Sequence, residues 1–163
     1  MSSVDATIAA AAAIFEDSVE QLRDAIRGAS AATLNARPAG DDTNPIAVLA
    51  THAMLSTRMW LACALDSQIP VRDRPAEFRA RAGGADELLD VVDAAAEECR
   101  AFLSPDVTFD PTAVRDEPPM TPDGARSGDQ VTAAWALLHA LEHLSEHVAA
   151  ASLTRQVLER GSA

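Results

Sequence analysis

The chain has 163 residues, 48% of them hydrophobic, and its 13 basic against 25 acidic side chains give a formal net charge of −12. Every basic residue other than histidine is an arginine, and no concentrated basic surface emerges of the kind that a nucleic acid or an anionic membrane requires. The length fits one domain, spanning 1–163, with a real hydrophobic core.

Alanine and leucine dominate the apolar residues, aromatics make up 4% and tyrosine is absent. That composition favours helices over strands. The first helix is expected from about Val4 to Arg27, where Ile8, Ala12, Phe15, Val19, Leu22 and Ile26 recur four and three apart. This is the period of a helix that buries one stripe. Its alanine run, Ala9 to Ala13, does not read as a signal peptide, because Asp5, Glu16 and Asp17 flank it and no basic stretch precedes it. Gly28 and the segment SAATLNARPAGDD interrupt the pattern. A second helix is expected to start at TNP, with Thr43 or Asn44 as cap and Pro45 in the first turn, and to run to about Leu65.

Gly83-Gly84 precedes a third helix, about Asp86 to Leu103, on which Leu88, Val92, Ala95, Cys99 and Phe102 again fall four and three apart. Between Ser104 and Gly128, prolines, glycines and aspartates predict a long loop with no strand-like alternation. The fourth helix is expected from about Asp129 to Leu158. Four such helices pack most naturally as an all-α, antiparallel four-helix bundle with a long connection before the last helix. No segment reaches the roughly 18 to 20 uncharged apolar residues that would span a bilayer. Cys63 and Cys99 form no CxxC unit, and they read as reduced core residues of a cytoplasmic protein.

The chemistry concentrates in the histidines. HALEHLSEH holds three of the four, His139, His143 and His147, and His52 stands ninety-one residues before His143. Residues four apart stand one above the other on a helix, so His143 and His147 can aim two imidazoles at one point. His52 shares a helical stripe with Leu49, Met59 and Cys63, which should face the interior. An inward histidine from one helix and an i, i+4 pair from another make a three-nitrogen set with a position left open. The plainer reading makes His52 a satisfied packing residue and the histidine stripe of the last helix its wet face. On that helix Leu137, Leu141, Leu144 and Val148 form an apolar stripe, with Trp135 and the three histidines roughly opposite, so the second face can also meet a partner subunit. HLSEH also matches the H-x-x-E-H pattern of inverted zinc peptidases with Glu146 as general base, but that enzyme class needs further ligands and a larger chain.

A resemblance covers nearly the whole chain. ATLNARPAG, PIAVLATHAMLSTRMWL with its mid-helix histidine and a tryptophan eight residues on, RDRPAEFRARAGGADELLDVVD, and LLHALEHLSEHVAAASLTRQVLERG occur in an order similar to that of the DinB-like superfamily, including YfiT-like and mycothiol-dependent proteins. The resemblance implies a four-helix fold and a divalent metal, zinc or nickel, held by His52, His143 and His147. His139 matches a position that often carries a non-ligand histidine, leaving it a residue that supports a ligand from behind or packs, with 139/143 as the alternate pair. Two departures fall near the expected pocket mouth: Val148 and three alanines follow His147, and GDDTNP replaces a tryptophan before the second helix.

The activity that the resemblance implies is a metal-dependent thiol S-transferase, in which mycothiol, bacillithiol or glutathione attacks or isomerises a small electrophile. The alternatives are a non-catalytic metal- or ligand-binding homodimer and a metal-dependent hydrolase. Glu146 is a candidate proton acceptor beside His147, against a place on the solvated flank. Arg58 and Trp60 are candidate contacts for thiol or substrate, against an exposed ion pair and a core anchor respectively.

Overall fold

A computed structural model describes residues 3–119 and 128–161. It is mostly helical. Helix α1 (Ser3–Ile26) is followed by the short α2 (Ala31–Asn35) and a single 3-10 turn, then α3 (Ile46–Ala64), the short α4 (Arg74–Glu77) and α5 (Ala85–Phe102). Two three-residue strands, β1 (Val114–Asp116) and β2 (Gln130–Thr132), pair antiparallel with Arg115 opposite Val131, and α6 (Ala133–Arg160) completes the order.

The α1 stripe behaves as its period predicts. Ile8, Phe15, Val19, Leu22 and Ile26 are buried, and Ala12 is partly buried against them. On α5, Leu88, Val92, Ala95 and Cys99 are buried likewise. Helix α3 buries the stripe of Leu49, His52, Met59 and Cys63 as expected and much else besides: 16 of its 19 residues are buried and only Thr51, Leu55 and Arg58 are not. It packs most extensively on α6 and also on α5, while α1 packs on α6 and α5. These elements share one core, which also takes in Leu34 of α2.

Central burial also explains why α3, alone among the described helices, is long and apolar enough to cross a membrane by length and composition. Its most apolar window is 83% buried within the fold, as a core helix must be. Cys63 and Cys99 are both buried and are not joined in a disulfide, and burial pushes the Cys99 thiol up to about 12, so it stays protonated.

The helix ends depart from expectation at two places. Neither Thr43 nor Asn44 caps α3. Pro45 itself occupies the cap position with extended backbone (φ −65°, ψ 158°), and no side chain caps that terminus. Helix α6 begins at Ala133 rather than near Asp129, because Thr132 takes the cap and its hydroxyl accepts from the Trp135 amide. The preceding residues are drawn into the β1–β2 ribbon, which the loop expectation missed. Residues 120–127 of that loop lie outside the described residues. Short α4, also missed, starts where the Asp73 side chain accepts from the Ala76 amide and Pro75 occupies the first turn.

Candidate metal centre

Helix α3 presents His52 toward α6, which presents His143 and His147 one turn apart. One ring nitrogen from each of the three lies within 4.8 Å of the others. The ring centroids are 5.2 Å apart for His52 and His143, 5.1 Å for His52 and His147, and 4.4 Å for His143 and His147. His52 is 6% exposed, and the other two are partly buried.

Nε2 of His143 and Nε2 of His147 are 3.3 Å apart. Two nitrogens bound at about 2.0–2.1 Å to one tetrahedral zinc would stand about 3.3 Å apart, so this pair already has the spacing of two ligands. A hydrogen bond between the two rings accounts for the same distance if one of these nitrogens carries a proton. The third imidazole beside them is what a simple histidine pair leaves unexplained.

The orientation of His52 is fixed from behind. Its Nδ1 lies 2.9 Å from Oε2 of Glu77, a carboxylate on α4 that is 3% exposed. Glu77 in turn accepts from Arg72, whose Nε is 2.8 Å from Oε1 and whose Nη2 reaches Oε2. Burial alone would raise the Glu77 carboxyl, but hydrogen bonds from His52 and Arg72, with the charge of Arg72, outweigh it and hold the group below the usual range. An ionised carboxylate only accepts, so Nδ1 of His52 carries a proton, and in the neutral ring Nε2 is the nitrogen that keeps its lone pair. This carboxylate–histidine arrangement is the usual support of a metal-binding imidazole.

Burial, followed by the proximity of His147 and His52, pushes His143 down to about 3. Burial and then His52 lower His147 as well. Both are therefore neutral near pH 7, the form in which imidazole binds a metal. The three residues fit a divalent ion by nitrogen spacing, by the neutrality of His143 and His147 and by the orientation of His52. Nδ1 of His143, by contrast, is buried without a hydrogen-bond partner among the described residues.

The model of the DinB superfamily matches residues 8–151. The chain belongs to the DinB superfamily. Its fold is also similar to a crystal structure described as the conserved protein of locus from Enterococcus faecalis, with a TM-score of 0.66 over 90% of this chain and 94% of that one. At 13% identity, that likeness speaks for the fold alone. No curated protein matches the chain.

The remaining candidates of this DinB-superfamily chain fall outside the trio. His139 is stacked on Trp135 (4.7 Å, 18° between planes), meets the edge of Trp60 at 4.7 Å, and pairs through Nδ1 with Glu142 at 3.3 Å. Its ring is 5.8 Å from that of His143. Trp60 is buried at 1% exposure, and its indole nitrogen has no hydrogen-bond partner among the described residues. Arg58 reaches across to α5 and donates from Nη1 to both carboxylate oxygens of Glu98, at 2.9 and 2.8 Å. Glu146 is exposed.

Sequence reasoning assigned no role to Glu77, Arg72 or Phe78, whose ring packs 4.7 Å from that of His52. The available signal was local: Asp73-Arg-Pro is a helix-start pattern, and it delivers Glu77 one turn later. Nothing in the spacing says that so short a helix lies against α3.

The protonation states set a pH dependence for the metal-free protein. Between about pH 6.5, the ordinary value for histidine, and about 3, the unfolded chain protonates His143 while the folded one does not. Glu77 acts in the same direction at lower pH, since its folded value lies below its ordinary 4.5. Stability of chelator-treated protein should therefore fall as pH drops from 6.5, and stay level above it as far as these groups are concerned. Thermal melts at half-unit steps from pH 7.5 to 4.5 check this, and a midpoint constant down to pH 5 would contradict the burial of His143.

Proposed function

We propose that the protein is a metal-dependent thiol S-transferase on a DinB-like four-helix bundle forming a single domain, acting on a small electrophile. The observation that carries this reading is the convergence of three imidazoles from α3 and α6, with His52 oriented by Glu77. His52, His143 and His147 would hold the ion, zinc or nickel. A divalent ion held by three neutral imidazoles keeps its full charge and lowers the pKa of a thiol or water brought to it.

The protein's own residues set the conditions for that chemistry. Glu77 keeps a proton on Nδ1 of His52 and so directs Nε2 into the site. Arg72 keeps Glu77 ionised, and Phe78 covers the His52 ring. In the proposed reaction a low-molecular-weight thiol such as mycothiol, bacillithiol or glutathione loses its proton. Its sulfur then forms a bond to the electrophilic carbon, and either a leaving group departs with the bonding pair or the proton is returned to the adduct. Glu146, next to His147 in sequence and exposed, is the candidate acceptor that would pass that proton to solvent. Trp135 (46% exposed) and Leu138 (64%) on α6 are the side chains that a homodimer would cover.

The test is thiol consumption by protein loaded with zinc or nickel, with monochlorobimane as electrophile and each of the three thiols in turn. Turnover that chelation and His52→Ala both abolish is the expected result. Metal binding without turnover of any thiol would favour the non-catalytic binding module, and turnover of ester or amide substrates without added thiol would favour a hydrolase.

A further inference from the structure

We infer that a second site, one aromatic ring away from the histidines, binds the anionic group (carboxylate or phosphate) of a small molecule. It is a cavity of about 330 Å³ whose walls carry the guanidinium-bearing residues Arg37, Arg79 and Arg81 and contain no carboxylate. The inference rests on these arginines and stands independently of any metal or reaction.

Three charges of one sign around one cavity are unexpected in a chain of net charge −12. Most of the other described arginines are matched: Arg23, Arg27, Arg58, Arg72, Arg100, Arg115 and Arg155 each pair with a nearby carboxylate. Among the described residues no carboxylate pairs with Arg79 or Arg81. Arg37 donates instead to the backbone carbonyls of Asp41 and Thr43, which fixes its position without neutralising its charge. Like charges held together in an acidic protein cost free energy unless something opposite offsets them. A bound anion does so, and guanidinium groups match carboxylate and phosphate oxygens with paired hydrogen bonds.

The rest of the wall agrees in sign and in rigidity. Pro45 and Val48 bring the start of α3 to the cavity, and that 19-residue helix has no side-chain cap and no acidic residue in its first turn. Its positive end is therefore open to an anion. Asn35 pins the Arg79–Arg81 segment from within, accepting from the Ala82 amide and donating to the Ala82 carbonyl at 2.7 Å. The volume is at the small end of ligand pockets, enough for a charged group with a short carbon chain and too small for a polyanion. The shortage of basic surface that argues against nucleic acid is thus compatible with a site of this size.

Phe78 links the site to the histidines, since it lines the cavity and its ring packs 4.7 Å from the His52 ring. Arg74 lies 5.0 Å from the same ring and adds a fourth positive charge nearby. The cavity and the three imidazoles thus share Phe78 as a common neighbour.

The test uses chelator-treated full-length protein in a buffer free of phosphate and carboxylate, titrated with inorganic phosphate and, separately, with succinate. Calorimetry or the amide signals of Val48 and Ala80 report binding. The expected result is saturable one-to-one binding of at least one probe, weakened by added sodium chloride. The exposed pair Arg79→Gln/Arg81→Gln should weaken it by about ten-fold or more, while Arg160→Gln, a change of equal charge per site at the far end of α6, should alter it by less than about two-fold. The stronger probe identifies phosphate or carboxylate as the preferred group. No saturable binding of either probe, or equal weakening by Arg160→Gln, overturns the inference.

Discussion

Substituting His52 with alanine should strip the protein of its metal. His52 is the sole donor that α3 contributes to the trio, and the two imidazoles of α6 that remain cannot by themselves complete a three-nitrogen site. The loss of affinity should exceed the roughly 10–100-fold that typically follows removal of an outer partner of a ligand. Elemental analysis after gel filtration should find about one zinc or nickel per wild-type chain and close to none in His52→Ala, His143→Ala or His147→Ala. His139→Ala supplies the contrast. Its ring is engaged with Trp135 and Trp60, so that variant should retain the metal. Loss of metal in His139→Ala with retention in His147→Ala would move the pair to 139/143. No metal in the wild type, and no rise in its thermal midpoint on adding zinc or nickel, would leave the histidines as packing residues.

The four histidines show what the sequence could and could not disclose. Spacing put His143 and His147 on one side of a helix, and periodicity placed His52 among core residues; the convergence of the three needed α3 and α6 to be neighbours. The family resemblance supplied that adjacency in advance. Periodicity also found α1 and α5, because each buries a single stripe. It described α3 less well, since a helix buried on nearly all sides has no polar face to mark its orientation. Three-residue strands such as β1 and β2 are too short to show alternation, and a four-residue helix such as α4 has no period at all. Glu77 and Arg72 sit on or beside that unmarked segment, so their approach to His52 is a tertiary fact. In one dimension they are two charges in the run RDRPAE, indistinguishable from a solvated face.

That buried pair carries the second large expectation, and the fold contains its own control. Arg72 and Glu77 have side chains 9% and 2% exposed, whereas Arg58 and Glu98 are 17% and 57% exposed. Both are arginine–glutamate ion pairs with two hydrogen bonds, through Nε and Nη2 in the first and through Nη1 alone in the second, but the half-exposed partner in the second leaves water to solvate what a mutation uncovers. Glu77→Ala should destabilise the protein by about 3–5 kcal/mol, because it strands the Arg72 guanidinium in the interior and removes the acceptor of His52. Glu98→Ala should cost no more than about 1 kcal/mol. Urea denaturation of the two variants side by side, both metal-free, measures the difference. Glu77→Gln then separates support of the metal site from support of the fold. Its amide oxygen can still accept from Nδ1 of His52, but it loses the charge that pairs with Arg72 and strengthens the imidazole as a donor. Metal affinity in that variant should drop by about 10–100-fold, and the His52 ring should keep its place. Equal losses of stability in Glu77→Ala and Glu98→Ala would mean that water reaches Arg72, and the case for a dry, carboxylate-oriented His52 would fall with it.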